Sequence, residues 1–250
     1  MIINTIFAAV SMTTLVVGAS GATGRLLVEQ MLERGQHVRI IVRSTDNLPS
    51  GVISHKNLSI ICASILDLSE SEIVEYIGGC DAIVSCLGHN LSFKGIFGKP
   101  RRLVTDATRR LCNAVKENSP NKPVKFVLMN TTGNSNRDLK EKISLAQKCV
   151  IGILRLLVPP HADNEKAADY LRTQIGQNDG VIEWVAVRPD GLTNETEITP
   201  ITAHPSPTRS AIFNSGNTSR INVGCFMADL VTDEDLWQQW KGQMPVIYNV

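Results

Sequence analysis

The residues that most constrain this chain are Gly18-Ala19-Ser20-Gly21-Ala22-Thr23-Gly24, three glycines separated by pairs of small residues. They follow Thr13–Val17, a short apolar, β-branched run of the kind buried in a parallel sheet. They lead into Thr23–Arg34, where Leu27, Val28, Met31 and Leu32 form a stripe opposite Glu29, Gln30, Glu33 and Arg34, the pattern of an amphipathic helix. Gly35 then stops the helix, as a glycine beyond the C-cap does. Gly18 permits the tight turn out of the strand. Gly21 removes a side chain where an anion would approach the backbone, and Gly24 lets the helix pack closely on the strand. The first N–H groups of such a helix have no acceptor of their own, and its positive end attracts negative charge.

The same alternation continues along the chain. Strands are expected at His37–Val42, Leu58–Cys62, Ala82–Leu87, Val124–Met129 and Ile182–Val187. Helices are expected at Ser69–Ile77, which opens with a Ser-x-x-Glu capping box, and at Arg101–Asn118, Leu139–Val158 and Asp163–Ile175. Strand and helix in strict alternation imply a parallel sheet with helices on both faces. Right-handed crossovers make a doubly wound α/β arrangement the simplest topology. Gly191–Thr218 is rich in Thr, Pro, Asn and Ser and reads as a long irregular excursion, a kind of segment that often carries function. Short helices at Val223–Val231 and Asp233–Trp240 and a strand at Val246–Tyr248 close the chain. The expected organisation is an N-terminal extension over 1–12 and one domain over 13–250, with 191–250 forming a small C-terminal cap on the substrate side.

Composition excludes several function classes. Net charge is +1 over 250 residues, which argues against a nucleic-acid or anionic-membrane partner. Met1–Val10 is apolar but carries no Lys or Arg, and it is too short to span a bilayer. It reads as an extension before the first strand, with Met12 as a possible start. The six cysteines form no C-x-x-C pair and no zinc-type spacing with histidine. They read as reduced thiols of a cytoplasmic protein, and no metal is expected. Arg101, Arg102, Arg109 and Arg110 share a helix with Asp106 and Glu117 and read as a solvated face. Cys149–Val158 reads as core packing or a dimer contact; a monomer or a homodimer is expected.

The glycine spacing resembles that of the short-chain dehydrogenase/reductase superfamily, and in particular its atypical NmrA-like and flavin/biliverdin reductase-like members. The resemblance is carried by Val16–Gly24, by Asp67, by Asp81–Gly88 and by Trp184–Pro189. It implies a Rossmann fold and a nicotinamide dinucleotide. The pyrophosphate would sit on Gly18, Ser20, Gly21, Ala22, Thr23 and Gly24. No acid stands between Gly35 and Thr45, where an NAD enzyme places one for the ribose hydroxyls. Arg43 instead offers a guanidinium to a 2′-phosphate, so NADP is favoured over NAD; otherwise Arg43 is a solvated strand-end charge. The resemblance assigns Asp67 to the adenine amino group with a backbone contact from Leu68, Leu87 and Gly88 to the ribose, and Pro189 to the nicotinamide flank. Asp67 reads equally well as a turn or helix-cap aspartate.

The family's Tyr-x-x-x-Lys pair is absent. None of Tyr76, Tyr170 and Tyr248 has a lysine four residues later, and the residue four before Lys166 is Ala162. Remaining catalytic candidates are Thr132, beside Thr131 after the fifth strand, His161 as a proton donor, and Lys166 on the nicotinamide ribose. His89 lies just past Gly88. The bland readings are turn threonines, surface histidines and a solvated lysine. The resulting expectation is an NAD(P)H-dependent oxidoreductase that passes hydride to a small conjugated or carbonyl acceptor, as flavin, quinone and biliverdin reductases do. The alternative is a non-catalytic NADP-binding regulator of the NmrA-like type.

Overall fold

A computed structural model describes residues 12–89, 98–141 and 143–250. The first half alternates strand and helix: β1 (Thr13–Val17), α1 (Gly24–Glu33), β2 (His37–Val42), α2 (Ser50–Ile53), β3 (Leu58–Cys62), α3 (Glu70–Ile77) and β4 (Ala82–Ser85). The second half runs α4 (Leu103–Asn118), β5 (Val124–Met129), α5 (Leu145–Leu157), α6 (Pro159–Tyr170), a π-helical turn at Leu171–Ile175, β6 (Ile182–Pro189), β7 (Gly191–Thr193), β8 (Ile201–His204), β9 (Asn217–Ser219), α7 (Arg220–Thr232), α8 (Glu234–Trp240) and β10 (Val246–Asn249).

Eight strands form one sheet in the order β3-β2-β1-β4-β5-β6-β10-β8, and β7 pairs with β9 apart from it. All neighbours in the large sheet are parallel except β8, which runs antiparallel to β10. The order reverses at β1, so the chain crosses from β3 back to β4 on the other side of β1. This is the doubly wound α/β fold, and it opens a crevice at the carboxyl ends of β1 and β4. Both faces are covered, as a parallel sheet requires. Leu15, Val17, Ile83, Phe126 and Trp184 face a core made with α3, α4 and α6. Val16, Val84, Val127 and Val185 face the core made with α1, α7 and α8. Alternation along each strand therefore feeds two cores at once.

Several boundaries differ from the sequence expectation, each for a local reason. The helix expected over Leu139–Val158 starts only at Leu145, where Ser144 accepts the Gln147 N–H as a side-chain cap. Upstream, the Asn136 side chain accepts the Asp138 N–H in a turn and Glu141 is drawn inward to Arg188, which prevents helix from continuing back. Pro159 ends α5, because the preceding Val158 leaves the helical region (φ −121°, ψ 86°). The same proline opens α6 earlier than the expected Asp163, in the first-turn position that suits it. The fourth strand stops at Ser85 rather than Leu87. The expected irregular excursion over 191–218 contains β7, β8 and the start of β9. Residues 191–250 add β8 and β10 to the main sheet and cover one of its faces with α7 and α8. Only Gln147 and Ile151 of α5 are buried, so core packing does not account for Leu145, Ile153, Leu156 and Leu157, which stay exposed. No described helix is long and apolar enough to cross a membrane.

Candidate functional site

The glycine loop closes over the end of β4. Gly18 has φ +77°, and a Cβ there would lie 2.5 Å from the carbonyl carbon of Cys86. A Cβ on Gly24 would run into the Gly18 carbonyl oxygen. Any side chain at either position must therefore displace backbone. The Gly21 N–H donates to the Gly18 carbonyl at 3.0 Å and holds the turn. Gly21 and Ala22 are exposed, Gly18 and Ser20 half-buried, and Thr23 buried. The first turn of α1 contains no acid, and the Thr23 side chain does not cap it. The helix thus begins with uncompensated positive partial charge facing the crevice.

Around this loop the structure places the other expected nucleotide contacts. Arg43 is exposed just beyond β2, with no ion pair or hydrogen bond to any described residue. Asp67 is exposed, and its N–H closes a turn on the Ser64 carbonyl at 2.9 Å. Leu68 is buried behind it. The turn is braced by Arg110, which donates to the carbonyls of Ile65 (2.7 Å) and Leu68 and pairs with Glu70 at 3.1 Å. Arg110 is thus no member of a solvated face, as its sequence context suggested; its guanidinium satisfies carbonyls that a tight turn leaves open. Leu87 and Gly88 continue directly from the Cys86 backbone that Gly18 touches. Cys86 is half-buried, and desolvation pushes its thiol up to about 12, which disfavours the thiolate near neutral pH.

At the end of β5 the two threonines differ. Thr132 is buried. Its hydroxyl donates to Asp190 Oδ1 at 3.0 Å, and its N–H donates to the Pro189 carbonyl at 3.2 Å. Asp190 Oδ2 in turn accepts the Gly216 N–H at 2.8 Å. Thr132 therefore stitches β5 to β6 and keeps only acceptor capacity. Thr131 is half-buried, and its Oγ1 accepts the Gly133 N–H at 3.2 Å. That leaves its hydroxyl hydrogen available. A Cβ on Gly133 would lie 3.2 Å from His161 Cε1 and 3.7 Å from Thr131 Oγ1, so the imidazole and this hydroxyl share one small space.

Helix α6 carries the remaining candidates. His161 Nε2 lies 3.5 Å from Glu165 Oε1, and Arg155 Nε lies 2.7 Å from Glu165 Oε2. Burial would raise the Glu165 carboxyl, but His161 and Arg155 outweigh it and bring the carboxyl to about 2. Lys166 is exposed on the same helix and pairs with no described residue. Asp163 has a different role. Its carboxylate accepts the N–H groups of Val104 (2.8 Å) and Thr105 (3.0 Å), the Thr105 hydroxyl (2.6 Å) and His89 Nε2 (2.8 Å). It caps α4 from another helix, and although burial opposes ionisation, those four donors hold its pKa low. His89 is thereby tied down at 4 % exposure.

Arg188, which lies within the Trp184–Pro189 resemblance, has a role that the sequence does not reveal. It is fully buried in β6, pairs with Glu141 at 2.8 Å, and donates to the carbonyls of Met244, Asn134 and Pro205. The Arg-Pro pair at the end of an apolar strand marks the position, but three of the four partners lie 47 to 56 residues away. Above this pair opens a cleft of about 600 Å³ lined by Thr132, Glu141, Gln147, Arg209, Ser210 and Phe213, among others. A cleft of about 750 Å³ lies where the strands begin, against Asp81, Val124, Lys125 and Glu183. Open α/β sheets bind ligands at the carboxyl ends of their strands, so the cleft beside Thr132 is the candidate for substrate. Among the described residues no cluster of three or more His, Cys, Asp or Glu could hold a metal.

Comparison with known proteins agrees with this geometry. A family model described as NAD(P)H-binding matches residues 18–234. No curated protein is significantly similar. Among solved structures, the chain is similar to the oxidoreductase ylbE of Lactococcus lactis (16% identity, 96% of this chain and 91% of that one, TM-score 0.67). It is also similar to a wide-type short-chain dehydrogenase/reductase of Veillonella parvula in complex with NADP (14%, 95% and 94%, 0.67). A third is a proposed NADH-flavin reductase of Streptococcus pneumoniae (16%, 96% and 100%, 0.65). At these identities the likeness concerns the fold.

Proposed function

The chain belongs to the NAD(P)H-binding family, and from that premise we propose that it is an NADPH-dependent reductase of a small conjugated or carbonyl acceptor. The observation that carries this reading is the cradle at the start of α1, where Gly18 and Gly24 admit no side chain and the helix N-terminus is left without an acid. Those features fit a pyrophosphate held by Gly18, Ser20, Gly21, Ala22, Thr23 and Gly24. Arg43, uncommitted and exposed, supports NADPH over NADH through its 2′-phosphate. Asp67 and Leu68 would meet the adenine, Leu87 and Gly88 the ribose, and Pro189 the nicotinamide flank.

When bound, the reduced nicotinamide supplies a hydride. The protein's share is alignment and the proton. Thr131, whose hydroxyl hydrogen is uncommitted, would donate to the acceptor oxygen. Thr132 would fix the loop that presents it, and His161, backed by Glu165, would supply the proton. Lys166 would contact the nicotinamide ribose. Conjugated acceptors such as flavins and quinones place little demand on acid catalysis, which suits a chain whose α6 has Ala162 where related enzymes have tyrosine. The six reduced cysteines support a reducing compartment such as the cytoplasm.

The test is NADPH oxidation by the purified protein against a panel of flavin, quinone, tetrapyrrole and aldehyde acceptors. Turnover that saturates with one class supports the reductase. A second reading, an NADP-binding regulator without turnover, is favoured by Ala162 alone. It would be upheld by tight NADPH binding with no oxidation across the panel.

A further inference from the structure

We infer that the cleft beside Thr132 takes an acceptor with an apolar, conjugated body and an anionic oxygen group, a carboxylate or sulfonate, seated between Arg209 and the side-chain amide of Gln147. This rests on the reductase reading and specifies its substrate class. The cleft's hydrogen-bonding capacity is asymmetric. Ser210 Oγ already accepts the N–H groups of Ile212 (3.4 Å) and Phe213 (3.1 Å), so it donates its own hydrogen to Gln147 Oε1 at 2.8 Å. That fixes which way the Gln147 amide points. Its NH2 group has no acceptor among the described residues, although Gln147 is only 7% exposed. Gln147 lines the cleft, so this NH2 group is free to donate to an acceptor oxygen of a bound molecule.

Charge points the same way. Among the described residues the cleft is lined by one carboxylate, Glu141, and both of its oxygens are spoken for. Oε1 takes Arg188 at 2.8 Å, and Oε2 takes the Asn136 N–H at 3.0 Å. Arg209, next to the Ser210 that holds Gln147, pairs with no described residue. Among the described residues the lining therefore carries one cation without a partner, the exposed Arg209, and one uncommitted donor, the Gln147 amide. Ile143 and Phe213 supply the apolar wall. An arginine fork and an amide N–H together match two oxygens of one anionic group.

The experiment compares acceptor pairs that differ in charge, 1,2-naphthoquinone with its 4-sulfonate and benzaldehyde with 4-carboxybenzaldehyde, by kcat/KM with NADPH. In wild type the anionic member of each pair is preferred, and in Arg209→Ala the anionic-over-neutral ratio falls about tenfold, as loss of a charge-assisted hydrogen bond implies. Arg209→Lys recovers part of the ratio. A ratio that is the same in wild type and Arg209→Ala overturns the inference. If no acceptor is reduced, the reductase reading fails, and ligand-observed NMR decides the cleft separately. Binding of 4-carboxybenzaldehyde but not benzaldehyde, lost in Arg209→Ala, upholds the anion site; binding of neither, or of both alike, overturns it.

Discussion

The two ends of the crevice are built on opposite principles. On the nucleotide side, at the ends of β1, β2 and β3, the charged groups expected to meet the ligand are exposed: Arg43 and Asp67 have no side-chain partner among the described residues, and the phosphate cradle is backbone. On the substrate side, around β5 and β6, Arg209 and Lys166 are exposed and unpaired among the described residues, but four carboxylates are buried and engaged: Glu141 with Arg188, Asp190 with Thr132, Asp163 with His89 and α4, Glu165 with Arg155. The proposed nucleotide would meet a surface already complete without it. The proposed acceptor would meet loops that need internal polar locks, because 130–141 and 205–216 contain little regular structure to hold them.

The sharpest break of this comparison is Arg188→Met. It leaves the Glu141 carboxylate buried without its partner, and unfolding in urea should show a loss of about 3–5 kcal/mol. The double variant Arg188→Met/Glu141→Leu should recover much of that. Equal stability of wild type and Arg188→Met would mean that the lock is incidental. On the other side, Gly24→Val drives a side chain into the Gly18 carbonyl. Calorimetry should show NADPH affinity reduced by at least about a hundredfold, because the cradle must open to admit it.

Smaller effects come from single charges. Arg43→Ala should weaken NADPH by about tenfold and leave NADH nearly unchanged, since one exposed charge-assisted contact is lost. Equal losses for both cofactors would assign Arg43 to something other than the 2′-phosphate. The gentlest probe is acid. The Glu165 carboxyl sits at about 2, well below its ordinary value, and Asp163 is also lowered. Groups depressed in the folded state stabilise it above the ordinary carboxyl range. That stabilisation disappears as pH falls from about 5 toward the folded values. Glu165→Gln should flatten the fall in Tm over this window, whereas an unchanged slope would show that the His161–Glu165–Arg155 cluster carries no net stabilisation.

The same division decides what could be read in the chain. Strand β1, the glycine loop and α1 are local: turn, cap and stripe lie within 25 residues of one another, and each is set by neighbours in sequence. The parallel strands were legible as apolar runs for the same reason. The locks were not. Asp163 reads as an ordinary helix residue until the fold brings Val104 and Thr105 to it from 58 to 59 residues away. Arg188 follows the expected strand Ile182–Val187, and its immediate neighbours in sequence give no sign that Glu141 and three carbonyls surround it. Thr132 was singled out as a catalytic candidate, yet its bond to Asp190 leaves Thr131 as the better hydroxyl donor. Strands β7, β8 and β9 are not legible in the sequence because Thr, Asn and Ser pair as strand residues only where a partner strand, as β10 for β8, already stands.

The most direct measurement is a calorimetric titration of the purified protein with NADPH and NADH under identical salt. The account predicts one site per chain, with NADPH bound at least about tenfold more tightly than NADH. Equal or tighter binding of NADH would contradict the role given to Arg43, and binding of neither would contradict the cradle itself.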